Sequence, residues 1–169
     1  LYAVDAETGQ QKWAFEAALD IYSSPSVSGG LVYFGSDDNY LYAVNVGSGE
    51  MVWKWDSLQP LESAPAIKDG VLFIGNGVGE VYALDALTGE GIWDFDIPFG
   101  AVRIFKSPPA IGDDMLYIAN LAGIVFPLDV KTGEKLWQFR ARAPVRVSPS
   151  IFNGVVYLAS DDGHVYALE

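Results

Sequence analysis

Carboxylates, a single imidazole and a scatter of cations are the side chains that could do chemistry here, and their spacing limits what that chemistry is. Asp37-Asp38 and Asp161-Asp162 are adjacent acidic pairs. Paired acids can hold a hard cation, but neither pair has the alternating Asp/Asn-then-Gly spacing of a calcium loop. Both read as acidic turn residues. His164 is the sole histidine; no Cys or Ser stands in a pattern that would make it a general base, and it reads as a surface residue at a strand end. The chain has no cysteine, which removes disulfides, thiolate metal sites and Cys nucleophiles. Gly75-Asn76-Gly77-Val78-Gly79 is glycine-rich, yet no helix follows it, and a phosphate cradle needs a helix N-terminus. Five of the ten basic residues, Arg103, Lys106, Arg140, Arg142 and Arg146, fall in two short stretches. With Asp161, Asp162 and His164 they form a candidate binding face. The functional reading is an anion or partner site; the plainer reading is a solvated rim of mixed charge.

Composition narrows the classes further. The net charge of −12 argues against nucleic acid, whose phosphates require clustered positive charge. Half the residues are apolar and 14% aromatic, far too many for a disordered chain. No apolar run has the length of a membrane span.

A repeat supplies the elements that must position these groups. Leu1-Tyr2-Ala3-Val4-Asp5 returns as Leu41-Tyr42-Ala43-Val44-Asn45, Val81-Tyr82-Ala83-Leu84-Asp85, Val125-Phe126-Pro127-Leu128-Asp129 and Val165-Tyr166-Ala167-Leu168-Glu169. The spacings are 40, 40, 44 and 40 residues. Each repeat holds four short strand candidates bounded by Gly and Asp turns. In the second repeat they are Ser24 to Val27, Leu31 to Gly35, Tyr40 to Asn45 and Met51 to Asp56, and the first strand of every repeat opens at a proline (Pro25, Pro65, Pro109, Pro149). The second and third strands are apolar on nearly every residue, as in Val71 to Ile74 and Val155 to Leu158, which predicts burial on both faces. The fourth alternates an aromatic with Ala, Lys, Asp or Gln, which predicts one packed and one wet face on an outer edge. Four antiparallel strands every 40 residues is the period of a β-propeller blade.

The turn into the fourth strand is the most regular part. Asp5, Thr8, Gly9 and Trp13 recur as Asn45, Ser48, Gly49 and Trp53, as Asp85, Thr88, Gly89 and Trp93, and as Asp129, Thr132, Gly133 and Trp137. Asp or Asn can cap its own turn, Thr or Ser does so more weakly, and Gly permits a positive φ. This pattern resembles the tryptophan-docking repeat of the quinoprotein alcohol dehydrogenases and their non-enzymatic relatives, among them the propeller lipoprotein of the outer-membrane protein assembly machinery. WD40 repeats share the period, and Trp55-Asp56 and Trp93-Asp94 fit them superficially, but their Gly-His partner is missing.

The resemblance implies an all-β propeller in which each docking Trp packs on the neighbouring blade. The repeat divides the chain into outer strands over 1–16, blades over 17–56, 57–96 and 97–140, and an incomplete blade over 141–169. The chain opens and closes on a third strand, which reads as about four blades' worth of a seven- or eight-bladed propeller, its ring completed by further blades or by a second copy; the alternative is a chain that closes on itself, with residues 1–16 supplying the missing outer strand. In an up-and-down blade the turn between the second and third strands shares a face with the link between blades, placing Asp37, Asp38, Asn39, the cation-rich links and Asp161, Asp162 and His164 together. The family implies a non-catalytic protein-interaction scaffold of the periplasm or cell envelope, with no cofactor, no nucleic acid and no membrane span. The alternatives are a piece of a pyrroloquinoline quinone and calcium-dependent alcohol or sugar dehydrogenase, or a ligand-sensing module. Against the dehydrogenase stand the absence of Cys and the placing of all five Trp on outer strands.

Overall fold

A computed structural model describes residues 1–97, 105 and 107–169. The described residues form strands and turns, with no helix. The first sheet pairs β1 (Tyr2–Val4) with β2 (Gln11–Ala14). The second holds β3 (Ser26–Ser28), β4 (Leu31–Gly35), β5 (Tyr40–Asn45) and β6 (Met51–Asp56) in sequence order. The third repeats that order with β7 (Ala66–Lys68), β8 (Val71–Gly75), β9 (Glu80–Asp85) and β10 (Gly91–Asp96). The fourth has β11 (Ala110–Gly112), β12 (Met115–Ala119), β13 (Ile124–Asp129) and β14 (Phe139–Arg140), and the fifth has β15 (Ser150–Phe152), β16 (Val155–Ala159) and β17 (Val165–Leu168). Every pairing is antiparallel, and the innermost strands β3, β7, β11 and β15 contact one another in that order. These are propeller blades arranged side by side.

Burial follows the apolar pattern. All of β4 is buried, and so is most of β5, β8, β12 and β13 and half of β9, because each of these strands has a sheet against both faces. Outer strands β6 and β10 alternate half-buried with exposed residues, since only one face meets a neighbour. The fifth sheet departs from this rule. Tyr157 and Val165 are exposed there, because among the described residues no further sheet covers that side.

Two local differences from the sequence pattern have plain causes. Each first strand begins one residue after its proline, at Ser26, Ala66, Ala110 or Ser150, since a proline nitrogen has no hydrogen to give the ladder. The fourth blade's outer strand is cut to Phe139–Arg140. There Pro127 stands where the other blades have Ala3, Ala43 or Ala83 opposite the Trp. The Pro127 carbonyl accepts from Leu136 N at 3.1 Å, so its nitrogen faces the same outer strand and leaves that rung unmade.

Candidate functional site

The turn between third and fourth strands is capped from within. Asp5 Oδ1 accepts from the amides of Glu7 (3.1 Å) and Thr8 (3.0 Å) and from Thr8 Oγ1 (3.1 Å). Asn45, Asp85 and Asp129 collect the two corresponding amides at 2.8–3.1 Å. The turn glycine closes the loop on the main chain, as Gly89 N does on Asp85 O at 2.8 Å. These hydrogen bonds favour the charged carboxylate. The Lys12 ammonium first, then the Thr8 and Glu7 donors, lower the Asp5 pKa to about 2. Asp85 and Asp129 are lowered mainly by the Thr88 and Thr132 amides.

Trp13, Trp53 and Trp93 then reach forward to the next blade's copy of this turn. Trp13 Nε1 donates to Val46 O (3.0 Å), Trp53 Nε1 to Ala86 O (3.2 Å) and Trp93 Nε1 to Val130 O (3.0 Å). The ring lies flat over the next turn glycine. A Cβ at Gly49, Gly89 or Gly133 would come within 2.6–2.8 Å of Trp13, Trp53 or Trp93. These glycines have φ of 74°, 76° and 71°, so two independent constraints exclude a side chain there. Gly9 has a similar φ of 69° with open space above it. Trp137 is 38% exposed, packs on Tyr117 of its own blade at 6.3 Å, and makes no indole hydrogen bond among the described residues.

A second aromatic series runs beside the first. Phe15 meets Tyr42 (5.2 Å), Trp55 meets Tyr82 (4.7 Å), Phe95 meets Phe126 (6.0 Å) and Phe139 meets Tyr166 (5.1 Å), each across a seam and at steep interplanar angles. Two of the four are edge-to-face and two tilted, and aromatic contacts of this kind add to apolar burial. The sequence shows the alternation of these rings but not their partners, because the residue types vary from copy to copy.

On the opposite end of the blades, the inter-blade links cross the turns between second and third strands. Asp37 N, Gly77 N and Asp161 N donate to the link carbonyls of Asp20 (2.9 Å), Pro60 (3.3 Å) and Pro144 (2.9 Å). Asp38 and Asp162 fasten the same contact from their side chains. Asp38 accepts from Ala18 N (3.0 Å), Tyr40 N (3.1 Å) and the Tyr42 hydroxyl (2.7 Å). Asp162 accepts from Arg142 N (3.3 Å), His164 N (3.0 Å) and the Tyr166 hydroxyl (2.5 Å). Burial alone would raise the Asp38 pKa, but the Tyr42 hydroxyl and the two amides hold it below the usual value. The Tyr166 hydroxyl leads the donors that lower Asp162 to about 2.

The candidate face is thus largely engaged with itself. Arg146 Nε pairs with Asp161 Oδ2 at 2.7 Å, and His164 Nδ1 lies 3.3 Å from Asp162 Oδ1. The fold brings Arg142, Arg146, Asp161, Asp162 and His164 together, while Arg140 sits on β14 opposite Ile124. Arg103 and Lys106 lie outside the described residues.

Three indoles are hydrogen-bonded at seams, Trp55 packs on Tyr82 and Trp137 on Tyr117. Among the described residues no three His, Asp or Glu converge as metal ligands.

Stacked antiparallel blades, clamped forward by indoles at three seams, define a β-propeller of the quinoprotein-like class. A family model described as outer membrane protein assembly factor BamB matches residues 1–103 and 77–169, and the chain belongs to that family. No curated protein matches it. Among solved structures, BamB from Moraxella catarrhalis superposes with a TM-score of 0.80 at 19% identity, over 94% of this chain and 53% of that one. The computationally designed Ika4 protein gives 0.82 at 18% identity, over 95% and 98%. The quinohemoprotein alcohol dehydrogenase ADHIIG from Pseudomonas putida HK5 gives 0.67 at 23% identity, over 74% and 21%. The chain spans about half the length of the BamB structure it matches, and these likenesses establish the fold.

Proposed function

We propose that this propeller is a non-catalytic protein-interaction scaffold of the bacterial cell envelope. The observation that carries the reading is the match of the BamB family model across the chain. The engagement of the indoles in seams and aromatic pairs supports it, because a quinone enzyme needs one bare. The partner surface is the link face around Arg142, Arg146, Asp161, Asp162 and His164, where loops diverge between blades; divergent loops on a rigid scaffold are the usual seat of binding. The partners are other proteins. The ring is completed by further blades or by a second copy, and a clean monomer in light scattering removes the second copy.

The test is complementation. A protein containing this chain, expressed in the envelope of a strain lacking its assembly factor, should restore outer-membrane protein levels. Charge reversal at Arg146 and Asp161 together should weaken that rescue. Saturable, calcium-dependent quenching of Trp fluorescence by pyrroloquinoline quinone would overturn the scaffold reading in favour of the dehydrogenase one.

A further inference from the structure

The seams are not equivalent, and a pocket lies at one of them. Between the second and third blades, Tyr33 packs on Trp53 at 5.8 Å and 46°, and its hydroxyl donates to Ala86 O at 2.9 Å. That carbonyl also receives the Trp53 indole. Between the third and fourth blades, Phe73 packs on Trp93 at 5.7 Å and 41°. The ring keeps its place while the hydroxyl is gone. Val130 O, the counterpart of Ala86 O, receives the Trp93 indole and has no phenol beside it. Val71 likewise replaces Leu31 one pleat away: Leu31 is buried, Val71 only half-buried. Two in-register truncations fall on this seam, while Val130 and Ile92 are larger than their counterparts Ala86 and Val52. A pocket of about 300 Å³ opens there, lined by Val71, Phe73, Ile92 and Val130.

Its rim says what it would take. Lys68, Asp69, Asp114 and Lys131 surround the mouth. Their formal charges cancel, and two of these groups are already engaged with carbonyl or carboxylate: the Lys68 ammonium donates to Asp113 O, and the Lys131 ammonium lies 3.9 Å from Asp114. An ion gains nothing at such a mouth. An apolar floor beside one carbonyl with a spare lone pair suits a neutral ring that carries a donor.

We infer that the seam between the third and fourth blades binds a small neutral aromatic molecule of the phenol or indole class. The ring lies on Phe73 and Val71, and its O–H or N–H donates to Val130 O, supplying the hydrogen bond that Tyr33 makes in the preceding seam. The site is remote from the link face and stands independently of what that face binds.

The probes are p-cresol, indole and toluene, titrated into the whole chain and followed by amide chemical shifts. p-Cresol and indole should bind saturably, shifting the amides around Val71 and Val130. Toluene, which lacks the donor, should bind roughly tenfold more weakly, the worth of one neutral hydrogen bond. Phe73→Tyr and Val71→Leu refill the pocket with the preceding seam's own residues. Each should cut p-cresol affinity at least roughly tenfold, with an unchanged or raised melting temperature that shows the fold intact. Non-saturable binding, equal affinity for toluene, or undiminished binding to both refilled variants would overturn the inference.

Discussion

The two ends of a blade use one device for opposite purposes. At the turn between third and fourth strands, a carboxylate or amide gathers the N–H groups of its own loop, and all four copies do it the same way. At the turn between second and third strands, Asp38 and Asp162 reach beyond their own loop to Ala18 and Arg142, while Val78 and Ala122 occupy that place in the other two blades. Their companions change with them. The blade with Ala122 has Phe126 where a tyrosine would want the acid, and the blade with Val78 keeps Tyr82 by giving its hydroxyl to Glu80 at 2.6 Å. The first end is uniform because every blade must offer the preceding blade's indole the same seat. The second is free to differ because it answers only to its own link.

The comparison breaks most easily at the indoles. Trp53→Ala should cost about 3–5 kcal/mol, whereas Trp137→Ala should cost roughly 1 kcal/mol or less, since that ring is exposed; chemical denaturation of the two variants measures the gap. Equal losses would mean that the clamp across the seam contributes nothing. Gly89→Ala comes next, at about 2–3 kcal/mol, because backbone strain and a clash with Trp53 coincide. Gly9→Ala carries the strain alone and should cost about 1 kcal/mol. On the opposite end, Asp38→Ala should cost about 1–2 kcal/mol and speed hydrogen exchange at the Ala18 amide. Tyr42→Phe should then add little in the Asp38→Ala background, a coupling that a double-mutant cycle reads directly.

Acid titration gives the smallest and most distributed effect. Asp5 and Asp162 titrate near 2 when folded, below the roughly 3.9 of an unfolded aspartate. Their stabilisation is fully present above about pH 4 and is lost as the pH falls toward 2. Thermal melts across that range should slope downward, and Asp162→Asn should flatten part of the slope.

The Trp, Gly and Asp series could be read from sequence because their spacing is in phase and the turn they build is locally determined. The second aromatic series could not, because Phe15, Trp55, Phe95 and Phe139 differ in type and their partners lie in another sheet. The glycine's second constraint was hidden for the same reason: positive φ is local, while the ring above it comes from the preceding blade. Pro127 was visible as a departure, but which edge its nitrogen faces is a matter of register. The link face was located by topology, and its internal pairing of Arg146 with Asp161 depends on side-chain reach that spacing does not give.

The indole travels 33 residues along the chain to its acceptor at two seams and 37 at the third, yet the contact it makes is the same. Because the fastening is closed by touch between neighbouring sheets, it is indifferent to how much polypeptide runs between the two halves. Segments that join one sheet to the next can therefore lengthen or acquire new residues without loosening the stack, so new recognition loops and architectural integrity evolve on separate accounts.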